Sequence, residues 1–333
     1  ACLVGSEMCI RDRFISMKFE QIMPSATTMA DATLPTVAMD TEAGTQYNAL
    51  HGYTSELDST LFYGNITPVA KDRKLTVTIN TYGEDIEGVA YKIRSLEDKS
   101  LIENTEVSDY DNAGSSINVT FNIKNLLDTG KEYALEIVLK TKKHETVYYY
   151  TRIVYGVDYD LQKKLDFVMD FNACTFDDSR LKDIAGYLET SSSGDNTNYG
   201  KVNINCSLSQ VGWGDLDPYV ESDIMPEVIS VDDDVAILRL SYRVGAANDY
   251  SSSDTYTVSE YYRIRQTNSG FYLLNFEREM NQVFDARNDL TSTAKINLGI
   301  NSSTDVNCAS DEKGIYTLSL IHISEPTRQA EIS

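Results

Sequence analysis

Five runs of alternating apolar and polar residues occupy the first half of the chain. Side chains alternate between the two faces of a β-strand, so such runs predict half-buried strands. Turn-forming clusters, such as residues 82–85 and 128–130, separate the runs, and no helical period intervenes. The pattern predicts an antiparallel β-sandwich over residues 71–157. The apolar positions are Leu75, Val77 and Ile79; Val89, Tyr91 and Ile93; Ile117, Val119, Phe121 and Ile123; Tyr133, Leu135, Ile137 and Leu139; and Val147, Tyr149 and Ile153.

The period changes near residue 158. Apolar residues from Leu161 to Met169 follow helical spacing, and Asp160 is expected to cap this helix. A second helix is expected to begin near Asp177 and to carry the apolar residues of 181–188. These stripes are interpreted as core faces.

Alternation returns after a polar loop at residues 190–200. One run covers residues 202–208 and another 235–242, and residues 256–265 and 271–279 are expected to form a hairpin across 267–270. Two helices followed by an antiparallel sheet predict an α+β domain over 158–290. This order of elements is typical of a sheet wrapped on helices, as in cystatin-like or NTF2-like folds. The fold class predicted for the whole chain is therefore mainly β with an α+β part.

The regions outside these two domains have weaker patterns. Residues 14–70 mix small residues, proline and isolated apolar positions, and they are expected to form an extended lead-in with a short helix or turn at 54–63. Residues 291–317 are interpreted as the start of a truncated following domain.

The two ends of the chain resemble a translated sequencing adapter. With one choice of codons for residues 6–12 ("SEMCIRD"), the reverse complement in a shifted frame encodes residues 319–324 ("SLIHIS"). Residues 1–13 and 318–333 are therefore expected to be adapter-derived and disordered, and they are excluded from arguments about the fold.

One turn has a counterpart in fibronectin type III-like domains. The segment 126–135, "LLDTGKEYAL", resembles the entry to a strand where a tyrosine hydroxyl bonds back to upstream backbone. This resemblance assigns the structural role of the corner to Tyr133, in a fibronectin type III-like (Ig-like) sandwich.

Charge and hydropathy exclude some partners. The formal net charge of −22, from 29 basic and 51 acidic residues, disfavours nucleic acid and anionic lipid. No apolar run reaches the length of about 18 residues that a membrane span needs. We therefore expect no membrane contact within these residues.

Candidate catalytic groups are sparse. His51 and His144 lack the serine motif of hydrolases. Glu277 and Glu279 share one strand face at about 7 Å, a separation near that of glycosidase carboxylates, but nearby arginines favour an ion-paired surface. No catalytic residue is assigned, and the chain is not expected to be an enzyme.

No metal or cofactor site is predicted either. Asp215, Asp217 and the run 232–234 invite a calcium interpretation, but the run is what a hairpin turn looks like and EF-hand spacing is absent. Cys174, Cys206 and Cys308 are too few for a disulfide framework, and whether any two of them pair is left open.

Two aromatic residues are the candidate ligand-binding groups. Trp213 and Tyr262 lie in the α+β part, where they could stack on a sugar ring or line a cavity together with Cys206. The ordinary use of such residues at the edge of a core is the competing interpretation.

Several segments resemble uncharacterised membrane-anchored surface proteins of anaerobic Gram-positive bacteria. They include residues 50–58 ("LHGYTSELD"), 66–83 ("ITPVAKDRKLTVTINTYG") and 272–285 ("YLLNFEREMNQVFD"), and the resemblance covers 17–317. It implies an extracytoplasmic, cell-surface location with a membrane anchor upstream, but no catalytic residues.

The expected function is that of a non-catalytic structural or binding segment of a larger surface protein, with a cell-surface protein or a glycan as partner. Two alternatives stay open. One is an accessory part of a truncated surface enzyme acting on polysaccharide or cell wall, and the other is a small-ligand sensor domain.

Overall fold

A computed structural model describes residues 34–110, 114–156, 159–247 and 254–283, together with the backbone of four short strands between 291 and 319. The described part is mainly β, and its sheets are largely antiparallel, as predicted. The strands are β1 Thr36–Asp40, β2 Gln46–Leu50, β3 Ile66–Val69, β4 Lys74–Asn80, β5 Ile86–Ser95, β6 Leu101–Val107, β7 Ser116–Asn122, β8 Glu132–Thr141, β9 Glu145–Tyr155, β10 Lys201–Asn203, β11 Tyr219–Val220, β12 Met225–Val231, β13 Val235–Ala246, β14 Asp254–Thr267, β15 Gly270–Gln282, β16 Thr291–Ser292, β17 Lys295–Ile296, β18 Asn307–Ser310 and β19 Tyr316–Ser319. The helices are α1 Leu161–Thr175 and α2 Leu208–Val211, with 3₁₀ turns at Ser59–Leu61 and Leu181–Tyr187.

Strands β1 to β9 form two sheets that pack face to face. One has the order β2-β1-β4-β7, and the other has the order β3-β9-β8-β5-β6. The ring of Tyr91 in the larger sheet stacks on Phe121 in the smaller one at 4.8 Å between centroids. Both side chains are fully buried, as the alternation predicts. The core of this unit lies between the two sheets.

The structure differs from the sequence-based expectation over residues 34–70. This segment, expected as an extended lead-in, supplies β1, β2 and β3, which form or extend the edges of both sheets. Each of these strands has only four or five residues, too few for a readable alternation. Their partners β4 and β9 lie far along the chain, so the pairing is a tertiary feature. The turn expected within 54–63 is present as the 3₁₀ turn.

The hydrogen bond implied for Tyr133 is present. Its hydroxyl accepts the backbone N–H of Asp128 at 2.8 Å, and the ring is buried. Gly130, with φ of +75°, makes the intervening turn, since a left-handed backbone favours glycine. The contact fixes the entry of β8 into the core.

The second unit packs α1 against one six-stranded sheet. The sheet order is β10-β15-β14-β13-β11, with β12 also paired to β13. The predicted hairpin between β14 and β15 is confirmed, with Asn268 and Ser269 as its loop. The aspartate run 232–234 is likewise the turn between β12 and β13.

Three details of this unit differ from the sequence-based expectation. Asp160 makes no side-chain cap, because its own backbone is left-handed and its carboxylate binds Lys163 and Gln266. The second expected helix is the 3₁₀ turn Leu181–Tyr187. The run 202–208 is not one strand, because the Ser207 hydroxyl accepts Gln210 N–H and starts α2.

Two remaining expectations concern the ends. The predicted adapter segments lie outside the described residues, except that β19 includes Leu318 and Ser319. Of the expected following domain, only the backbones of the β16–β17 and β18–β19 hairpins are described. In the described part of the chain, no helix has the length and apolar character needed to cross a lipid bilayer.

Candidate functional site

A buried polar cluster lies between α1 and the second sheet. Its centre is the Glu260 carboxylate, which is fully buried on the inward face of β14. Glu260 Oε1 accepts the Tyr242 hydroxyl at 3.0 Å, and Oε2 accepts the Tyr262 hydroxyl at 2.6 Å. Asn172 of α1 donates its Nδ2 to Oε2 at 2.8 Å. These bonds replace the water that the carboxylate loses on burial.

Arg278 is the counter-charge of this cluster. It is fully buried, and its Nη1 lies 3.8 Å from Glu260 Oε1. The guanidinium donates to the carbonyls of Gln210 and Val211 at 3.0 and 2.8 Å, and thereby holds α2 against the sheet. It also stacks on Trp213, with 3.4 Å between Cζ and the ring centroid. Only its Nε lacks a hydrogen-bond partner among the described residues.

Burial changes the ionisation of the two tyrosines. Desolvation first, and the neighbouring Glu260 charge second, raise the pKa of Tyr242 and of Tyr262 well above the usual value. Both hydroxyls therefore stay protonated and donate to the carboxylate. The cluster is a set of fixed donors around one charge.

The structure brings the two predicted ligand-binding residues into this cluster. Trp213 is 1% exposed and contacts Arg278, while Tyr262 is fully buried and contacts Glu260. Cys206 is fully buried in the same core. Side chains fill the interface where a sensor cavity would lie, which weighs against that alternative. Ligand binding by Trp213 and Tyr262 stays a prediction, and their contacts are those of core residues.

Sequence reasoning missed the two charged members of the cluster. Glu260 stands between Val258 and Tyr262, and Arg278 between Phe276 and Met280. In both strands the charge occupies an inward position of the alternation. A charged residue at an expected core position was the available signal, because such residues are rarely fully buried unless paired.

The other candidate groups are dispersed. His51 is exposed on the sandwich unit, and His144 Nδ1 lies 3.6 Å from Glu84 Oε2 at the β8–β9 turn. Glu277 accepts Asn275 Nδ2, and Glu279 lies 3.8 Å from Lys201, so the glutamates have polar neighbours on the open face of the sheet. No histidine lies beside them among the described residues.

The candidate calcium ligands do not converge. The side chains of Asp232–Asp234 are exposed, and the turn is instead held through its backbone. Lys164 Nζ, buried under the hairpin, donates to the carbonyls of Asp232 and Asp233 at 2.7 and 3.0 Å. Over the described ranges, no group of three or more His, Cys, Asp or Glu residues could hold a metal ion. Cys174 and Cys206 are buried free thiols.

A second constellation joins the sandwich to the α+β unit. Asn48 in β2 is fully buried, and its Oδ1 accepts the N–H of Val228 in β12 at 2.7 Å. Its Nδ2 donates to the carbonyl of Ile66 at 2.9 Å and to the hydroxyl of Thr67 at 3.0 Å, both in β3. One amide therefore bridges three strands. Each of these is an edge strand of a different sheet.

The backbone of β2 is shaped for this bridge. A register shift in the β1–β2 pairing leaves two residues, Asn48 and Ala49, opposite Ala38. This is a β-bulge, and Asn48 has a φ of +49°, a conformation that asparagine tolerates better than most residues. The bulge directs the amide towards β3 and β12.

The start of α1 makes a further contact with the sandwich. Gln162 Oε1 accepts the hydroxyl of Thr41, and its Nε2 donates to Thr45 Oγ1 at 2.9 Å. Both threonines belong to the β1–β2 turn. Buried apolar side chains form one continuous cluster through both units. The two units therefore share a core as well as hydrogen bonds.

Comparisons with known proteins give little further information. No family model matches the chain. No curated protein matches it either. Among solved structures, the sporulation control protein Spo0M from Bacillus subtilis is similar with a TM-score of 0.20 and 9% identity, over 66% of this chain and 86% of that one.

Proposed function

We propose that this chain is a non-catalytic, rigid two-part segment of a larger extracytoplasmic surface protein. The observation that carries the proposal is the Asn48 bridge, which joins edge strands of three sheets in a buried environment. Interfaces between neighbouring domains are usually more polar and allow relative motion. A buried bridge within a continuous core instead fixes one unit on the other. Such a segment would hold the neighbouring parts of the larger protein at a fixed distance and orientation.

We propose that the sandwich is a fibronectin type III-like, Ig-like module. The sheet orders β1-β4-β7 and β9-β8-β5-β6, together with the Tyr133 contact, support this assignment. For the α+β unit we propose a cystatin-like or NTF2-like fold, supported by one long helix on an antiparallel sheet. In the proposed unit, the Glu260–Arg278 cluster fills the concave side of the sheet.

The surface location is supported by the resemblance of residues 17–317 to anchored surface proteins and by the acidic charge of −22. A high net charge keeps a protein soluble and repels nucleic acid and anionic lipid. Glycan or protein partners at the cell surface are compatible with this charge.

Rigidity can be tested by measuring distances between the two units. Lys71 on the sandwich and Asn268 in the β14–β15 turn are both exposed. We suggest spin-labelling Lys71→Cys/Asn268→Cys in a chain with Cys2, Cys9 and Cys308 replaced by serine, and recording the distance distribution by pulsed electron paramagnetic resonance. A single narrow distribution is expected. Asn48→Gly, which removes the bridge and tolerates the backbone, should broaden it.

A broad distribution in the parent chain would overturn the proposed rigidity.

The surface location has its own test. Antibody raised against residues 34–283 should label intact cells that produce the protein. Labelling that appears only after lysis would contradict the extracytoplasmic assignment.

A further inference from the structure

The second sheet has one face packed on α1 and another that is open. On the open face, the ends of β13, β14 and β15 surround a shallow cavity of about 330 Å³. This volume is near the lower limit for small-molecule sites. The polar residues that line it on these strands are Ser241, Arg243, Thr257, Ser259, Glu279 and Asn281.

The register of the strands arranges these groups in two neighbouring rows. Ser241, Ser259 and Glu279 are cross-strand partners in one row, and Lys201 of β10 continues it. Arg243, Thr257 and Asn281 form the next row. Hydroxyl groups both donate and accept, arginine donates and glutamate accepts. The rows therefore present both kinds of hydrogen-bonding group over a few ångströms.

Charges on this face are balanced, although the chain as a whole carries −22. Positive and negative side chains are interleaved, as in the pairs of Arg239 with Glu227 and Lys201 with Glu279. An anion or a cation would gain little from such a surface, because neither sign of charge dominates it. A neutral ligand with many hydroxyl groups suits it better.

Two tyrosines stand at opposite sides of the cavity. Tyr219 is 52% exposed, and its ring lies directly on the backbone of Gly245, where an added Cβ would approach Cζ to 2.4 Å. Tyr261 lies on the same face, opposite Arg239 and Glu277. Gly245 and Arg239 are six residues apart on β13, which corresponds to about 20 Å. A polar strip with a tyrosine near each end therefore runs along β13 and β14 on the open face.

We propose that the open face of β13, β14 and β15 binds a neutral, linear oligosaccharide. The rings of Tyr219 and Tyr261 contact the apolar faces of sugar residues, since a tyrosine has an apolar body and a polar end. Arg243, Glu279 and the intervening hydroxyls bind the sugar hydroxyls between them. Gly245 is required because a side chain there would displace the Tyr219 ring. This site is separate from Trp213 and independent of the rigid junction.

Binding can be tested with the full chain and neutral glycans of known structure. The probes are gluco-, xylo-, manno- and chito-hexaoses, titrated by isothermal calorimetry, with polygalacturonate as a charged comparison. At least one neutral hexaose is expected to bind, with little dependence on salt. Tyr219→Ala and Arg243→Ala should each weaken binding at least tenfold, whereas Tyr219→Phe should retain it.

Tyr82→Ala is the matched control. Tyr82 is exposed to a similar degree, 54%, but lies on the sandwich, so its loss should leave binding unchanged. Circular dichroism and melting of each variant establish that it is folded. Failure of every neutral hexaose to bind, equal binding by Tyr219→Ala, or binding of polygalacturonate alone would each overturn the proposal. None of these outcomes bears on the rigidity of the junction, which is measured by distance.

Discussion

The guanidinium of Arg278 lies 3.4 Å above the ring of Trp213, and both side chains are buried in the core of the α+β unit. The stack keeps the charge close to Glu260, 3.8 Å away, while the backbone carbonyls of α2 take two of its hydrogens. A charged residue thus replaces what would otherwise be an apolar core position. Burial of the Arg278 charge is tolerated only while all of its partners are present.

Removal of this arginine should be strongly destabilising. Arg278→Met keeps much of the apolar volume but leaves the Glu260 carboxylate without its counter-charge. Breaking a buried pair in this way costs about 3–5 kcal/mol. The free energy of unfolding from urea titration measures the loss.

A double variant separates charge from packing. Arg278→Met/Glu260→Gln removes both charges and keeps the shape of the Glu260 side chain, so we expect it to be more stable than Arg278→Met alone. If the double variant were less stable than either single variant, the pair would not be the main electrostatic interaction of this core.

The Asn48 bridge predicts a graded response at one position. Asn48→Ala leaves the buried Val228 N–H without its acceptor, at about 1–3 kcal/mol, and also removes the donor to the Ile66 carbonyl. It also places alanine at a φ of +49°, which costs about 1–2 kcal/mol more. Asn48→Gly removes the same hydrogen bonds, but glycine adopts a φ of +49° without steric cost. Asn48→Gly should therefore be less destabilising than Asn48→Ala. Urea titrations of both variants test the order, and equal losses would mean that the left-handed backbone stores no strain.

The Tyr133 corner predicts a smaller effect. Tyr133→Phe removes one hydrogen bond, to the Asp128 N–H, and keeps the buried ring. A loss of about 1 kcal/mol is expected. Tyr148→Phe is the control, since its hydroxyl makes no side-chain hydrogen bond to the described residues. A fall in the melting temperature confined to Tyr133→Phe would support the assignment, and equal falls would contradict it.

Buried tyrosines make the fold sensitive to alkali. Burial raises the pKa of Tyr150 to about 12, and burial also raises the pKa of Tyr47, Tyr91 and Tyr149. In the unfolded chain tyrosine titrates near 10. The stabilisation is therefore complete below pH 10 and is lost as the pH rises from 10 towards the folded values.

Absorbance of tyrosinate at alkaline pH measures this transition. Tyr150→Phe removes the hydrogen bond that the hydroxyl accepts from the Leu57 N–H at 2.7 Å, so it should lower the free energy of unfolding at neutral pH. It should also make that free energy fall less between about pH 10 and 12, because one group no longer ionises in the unfolded state. Gradual ionisation of all tyrosines near pH 10 without loss of circular dichroism would contradict the buried state of these hydroxyls.

Local pattern was sufficient for the long strands. Val119, Tyr133 and Tyr149 were placed in the core from alternation alone, and the hairpin turns at 232–234 and 267–270 followed from their residue types. Period-two burial and turn chemistry are properties of a few neighbouring residues, so the sequence carries them directly. The mainly β character of the protein follows from these features.

Tertiary structure decided what the short strands and buried charges do. Strands β1, β2 and β3 are too short to be recognised alone, and they form because distant strands pair with them. Asn48 forms a bridge because the bulge in β2 turns its side chain towards β3 and towards the N–H of Val228 in β12. Glu260 and Arg278 became core residues because partners from α1, α2 and β13 surround them. Such positions depend on contacts across 18 to 180 residues of sequence, which no local period records.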